Sequence, residues 1–109
     1  MNLLELKNLL DATGLPVAYS HFTETTNSPI PNPPYITYLI NNSSNLFADN
    51  KVYKKVNNAQ VELYTNKKNL QTEEIIEDLF EQNEIPFETS ELWIESEKLF
   101  QKTYELRLI

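Results

Sequence analysis

The spacing of apolar residues in this chain predicts an α+β fold: a mainly antiparallel sheet of four to five strands with two helices packed on one face. Leu3, Leu6, Leu9 and Leu10 recur at helical spacing, and so do Ile75, Ile76, Leu79 and Phe80. Ala59, Val61 and Leu63 alternate with Gln60, Glu62 and Tyr64, and Tyr104, Leu106 and Leu108 alternate with Thr103, Glu105 and Arg107. That period of two marks strands with one buried face. The resulting order is helix, short strand, two or three strands, helix, two strands, which sets antiparallel neighbours together beneath the helices. The 109 residues make one domain, residues 1–109.

Each element has a local reason. Asn2 is placed to cap the first helix, with Glu5 three residues on as in a capping box. Gly14, the only glycine, sits where a helix end wants a left-handed residue, and Pro16 prevents continuation. Val17 to Phe22 reads as a short strand. Thr23 to Pro34 carries Pro29, Pro31, Pro33 and Pro34, so it cannot lie inside a sheet and is expected to run extended as a stiff connector to Tyr35. Tyr35 to Ile40 reads as a strand with both faces fairly apolar, which points to a central position or a second covered surface.

Asn41 to Asn50 reads as a polar loop around Leu46 and Phe47. Lys51 to Val56 and Ala59 to Thr65 form either one long kinked strand or a hairpin turning at Asn57-Asn58, since asparagine tolerates the positive φ of such a turn. Thr72 is expected to cap the second helix, with Glu73 and Glu74 at its positive end. Glu77, Asp78, Glu81 and Glu84 would form its wet face, and Pro86 bars helix beyond Ile85. Phe87 to Ser96 and Lys98 to Ile109 are the final strands, joined by a turn or bulge at Glu97-Lys98-Leu99-Phe100.

Composition narrows the function. A net charge of −7 opposes sequence-independent binding to nucleic acid, which requires lysine and arginine to displace counterions from phosphates. The basic clusters are Lys51/Lys54/Lys55 and Lys67/Lys68, read as a solvated strand end and a loop or as a local docking patch. No apolar run approaches a membrane span, and no secretory signal is visible, so no membrane association is expected. With no cysteine there is no disulfide, thiolate or sulfur-ligated metal. The asparagine clusters at Asn41/Asn42/Asn45 and Asn57/Asn58 include formal glycosylation sequons, read here as loop polarity.

Nothing in the pattern forms a catalytic constellation. His21 is the only histidine; Ser20 precedes it, and neighbours in a strand point to opposite faces. Glu73/Glu77 and Glu77/Glu81 are spaced as carboxylate pairs, but opposite the helix's apolar stripe, which is the pattern of solvation. One glycine cannot build a phosphate loop. The expectation is a protein without catalytic residues, cofactor or metal. Aromatic residues outside an evident core (Phe47, Tyr53, Tyr64) suit a protein interface instead. Together with Asp49, Asn50 and Lys51 they form the candidate interface set.

Five stretches, taken in order, carry a resemblance: Gly14-Leu15-Pro16-Val17-Ala18-Tyr19-Ser20-His21-Phe22, Pro33-Pro34-Tyr35-Ile36-Thr37-Tyr38-Leu39, Phe47-Ala48-Asp49-Asn50-Lys51-Val52-Tyr53, Val61-Glu62-Leu63-Tyr64-Thr65 and Ile94-Glu95-Ser96-Glu97. With them the chain resembles a small tail-assembly protein of long-tailed phages and prophages of Gram-positive bacteria, similar to the tail terminator, or tail-to-head joining, family. The resemblance implies a structural protein at the head–tail joint. It would cap the tail tube as a homo-oligomeric, hexameric ring, stop its polymerisation and present a surface to head connector proteins. It implies residence in the virion tail, and in the host cytoplasm during assembly. The alternatives are a head-closure or adaptor protein at the same joint, or a non-catalytic acidic protein-binding module.

Overall fold

The computed structural model describes residues 1–25, 29–48 and 50–108, with the backbone alone at 46–48 and 52–54. Helix α1 (Leu3–Asp11) starts at Asn2, whose side chain accepts a hydrogen bond from the Glu5 backbone N–H. Gly14 follows at φ 79°, a conformation that costs glycine nothing. Strand β1 (Val17–Tyr19) then runs parallel to β2 (Tyr35–Ser43), with the proline-rich connector as the crossover between them. β2 pairs antiparallel with β5 (Asn57–Thr65), β5 with β7 (Leu99–Leu108), and β7 with β6 (Phe87–Ile94). The sheet order is β1-β2-β5-β7-β6, so the fold is α+β with a five-stranded, mainly antiparallel sheet and two helices. β6 is an edge, and its border carries Glu88 and Glu91.

The register assigns the faces. Ile36, Tyr38, Val61, Leu63, Tyr104 and Leu106 fall on one side of the sheet. They form a single buried cluster with Leu6 and Leu10 of α1 and with Ile76 and Phe80 of helix α2 (Leu70–Gln82). Phe80, Phe87 and Tyr104 pack ring against ring at 5.5–5.6 Å between centroids. Both helices therefore cover the same face.

Between β2 and β5 the chain makes an excursion. β3 (Leu46–Ala48) and β4 (Lys51–Lys54) pair only with each other, in a hairpin that turns with Asn50 at φ 62°. The expected loop over Asn41 to Asn50 is thus shorter: β2 continues to Ser43 and β3 occupies 46–48. Asn57-Asn58 is not a turn either. It begins β5, because Asn58 finds Asn42 across the ladder and Asn57 finds Ser43.

Other expectations shift for local reasons. Asn69, not Thr72, caps α2, its side-chain oxygen accepting from the Thr72 N–H. Leu70 in the first turn is exposed and so hid the true start. Glu77 leaves the wet face to accept a hydrogen bond from the Tyr104 hydroxyl at 3.3 Å. Thr103 is buried on the far face, and Ile75 is exposed. The first strand stops at Tyr19, because Ser20 turns at φ 67°. The turn between the last strands spans 95–98, with Lys98 at φ 56°.

Candidate protein–protein interface

Residues 44–56 form an arm on the end of the β2–β5 ladder. Its root is fixed by side chains. The Ser44 N–H donates to the Val56 carbonyl at 2.8 Å, and the Val56 N–H donates to the Asn45 side chain at 3.1 Å. Val56 is buried. The Asn58 amide donates to Asn42 and to Ser44, and the Asn41 amide donates to Gln60. A bulge at Asn41 shifts the β2–β5 register just before the arm departs, as bulges do where a strand is re-aimed. The asparagines read as loop polarity are therefore the clasp at the arm's base.

Of the candidate set, Phe47, Asn50, Lys51 and Tyr53 lie on this arm, with Phe47 opposite Val52 and Ala48 opposite Lys51. Asn50 and Lys51 are exposed. Asp49 lies outside the described residues. The molecule is long, 49 Å against 31 and 26 Å across. Its radius of gyration of 15.3 Å exceeds the about 13 Å of a compact chain of this length.

Tyr64 stands apart, at the other end of β5, about 24 Å along the strand from Asn57. It lies on the face that bears no helix, stacked on Tyr35, which Phe22 of the connector meets edge-on. Its hydroxyl donates to Glu62, which also accepts from Thr37 (3.3 Å), Gln60 (2.6 Å) and Gln101 (3.0 Å). Glu62 is 7% exposed with no cation on it; four neutral donors hold the charge instead. Burial and the Glu62 bond push the Tyr64 phenol up to about 12. Tyr104, on the helix side, is also raised, by burial and by Glu77.

On the helix face, Glu73 is buried between Lys68 at 2.9 Å and Lys102 at 3.5 Å, and Lys68 reaches on to Glu91. This network fastens the first turn of α2 to β6 and β7. The carboxylates of α2 and of the turn after it thus divide: Glu73 and Glu77 serve the interior, while Glu74, Asp78, Glu81 and, past the helix end, Glu84 are exposed.

His21 is exposed and lines a hollow of about 150 Å³ with Ser20, Tyr35, Tyr64 and Glu97. Contrary to strand geometry, Ser20 Oγ and His21 Nδ1 meet at 3.1 Å, because Ser20 is left-handed. No carboxylate bonds the imidazole among the described residues, so the pair lacks the orienting group of a triad. Among the described residues no three of His, Cys, Asp and Glu gather as a metal site, and no helix is long and apolar enough to cross a membrane. A larger hollow, of about 630 Å³, lies beside the root of the arm, between the ends of β2, β5 and β7 and the start of β6. Comparison with protein-family models gives no match, and comparison with curated proteins gives none.

Proposed function

We propose that this protein is a structural subunit that acts by docking on other polypeptides, as a phage tail-terminator-like ring that caps the tail tube at the head–tail joint. The arm of residues 44–56 carries this reading. A hairpin whose strands pair only with each other among the described residues leaves its outer edges available for contact with a neighbour. Such contacts made head to tail close into a ring when the rotation allows. The order of the five sequence stretches named above supports the tail assignment. The buried carboxylate Glu62 is engaged by donors, which fits a structural use of that residue.

The acidic surface fits passage of DNA, because like charge keeps the phosphate backbone from adhering to the ring. The exposed carboxylates for that task are Glu74, Asp78, Glu81 and Glu84. A head-closure or adaptor role at the same joint would use the same arm against different partners.

Electron microscopy of tail tubes assembled with and without the protein tests the proposal. Capped tubes that stop growing are the expected result. Tubes that lengthen past it unhindered, with no ring on their ends, would refute the terminator role.

A further inference from the structure

The arm and the body carry opposite charge. Residues 44–56 hold three lysines against one aspartate, a balance of +2, which leaves −9 on the rest of a chain whose total is −7. Lys51 and Lys55 are exposed, and neither forms an ion pair among the described residues. The body offers a match in the hollow of about 630 Å³ beside the arm's root. Glu88 and Glu105 are among the residues that line it, with Phe87 and Leu106.

Those two glutamates are Cα partners across the β6–β7 ladder, so their side chains share a face. Like charges placed directly opposite destabilise a sheet unless a cation joins them. Neither has an ion-pair partner among the described residues; Arg107, also in the lining, bonds to neither.

We infer that the hollow receives the arm of a second copy of this chain, with Lys51 and Lys55 meeting the Glu88–Glu105 pair. The inference rests on the docking reading above and supplies its receiving surface. Attraction between arm and body steers the encounter, and two glutamates side by side on one face give the contact its preference for a lysine-bearing partner.

Cross-linking tests it on a chain that has no native cysteine. Lys51→Cys and Glu105→Cys variants are mixed, treated with a short bis-maleimide and compared with Lys51→Cys mixed with Glu74→Cys, whose cysteine lies on the outer face of α2. The expected result is a mixed dimer well above the control. Adding Lys55→Glu to the first partner should cut its yield about tenfold, and adding Glu88→Lys to the second should restore it.

A yield no higher than the control would overturn the inference and leave the hollow to a different partner. A link that forms only within single molecules of a Lys51→Cys/Glu105→Cys double variant would overturn it too, placing the arm on its own body. Rings seen by microscopy without the mixed link would sink this contact while sparing the ring. The mixed link in closed dimers would uphold the contact and sink the ring.

Discussion

Val61 and Glu62 are neighbours on β5, and both are buried, but they leave water by different means. Val61 points to the helix side and joins Tyr104, Ile76 and Phe80 in an apolar cluster. Glu62 points to the side without helices, where Thr37, Gln60, Tyr64 and Gln101 close over its carboxylate. The first surface is buried by another layer of structure. The second is covered by its own side chains and, at one end, by Phe22 of the connector. Apolar packing is non-directional and depends on filled volume; a carboxylate held by four donors depends on each bond being made.

Substitutions can break this contrast. Phe80→Ala should have the largest effect, lowering unfolding free energy by about 3–5 kcal/mol, because the ring is fully buried against Phe87 and Tyr104. Denaturant melts read it as a fall in midpoint at unchanged slope. Glu62→Gln should cost about 1–3 kcal/mol, since the new amide nitrogen faces donors instead of accepting from them. A change as large as that of Phe80→Ala would show that the polar face carries the fold equally.

Tyr64→Phe should cost about 1 kcal/mol at neutral pH, from the bonds to Glu62 and Gln101. It should also change the alkaline limb. The phenol titrates near its ordinary 10 when unfolded and at about 12 when folded. Its contribution is therefore complete below pH 10 and disappears as pH rises through 12. Melts across that window should show the variant losing less stability than the parent. Leu92→Ser, on the same face at the β6 edge and half exposed, should stay within about 0.5 kcal/mol. A larger loss would mean that this part of the open face is more buried than Glu62's surroundings suggest.

The helix face was legible because one residue in two, or one in three or four, had to be apolar there. The same alternation located β5 and β7. On the other face, the apolar character of both sides of Tyr35–Ile40 pointed to a central strand or a second covered surface; β2 lies inside the sheet, and Thr37 is buried. Which polar residues would cover Glu62 was not legible, since Gln60 and Gln101 become neighbours only through the β5–β7 register. Nor was the arm. Its strands are three and four residues long and bond only to each other, so no periodic apolar face marks them. The asparagines at its root looked like loop composition because their partners are cross-strand. Neither the parallel β1–β2 pairing nor the Ser20–His21 contact had a sequence signal: the first depends on how the connector crosses, the second on one left-handed residue.

The outermost strand, β6, leaves one rim of the sheet unpaired, with Glu88 on it and Glu91 tied to Lys68. Bare rims of this kind zip together when many copies crowd into a small volume, and the product is a fused fibre. A border of fixed charges resists that merger at its first step. On the docking reading proposed above, copies brought together by their arms would stay separate particles and not fuse along this rim.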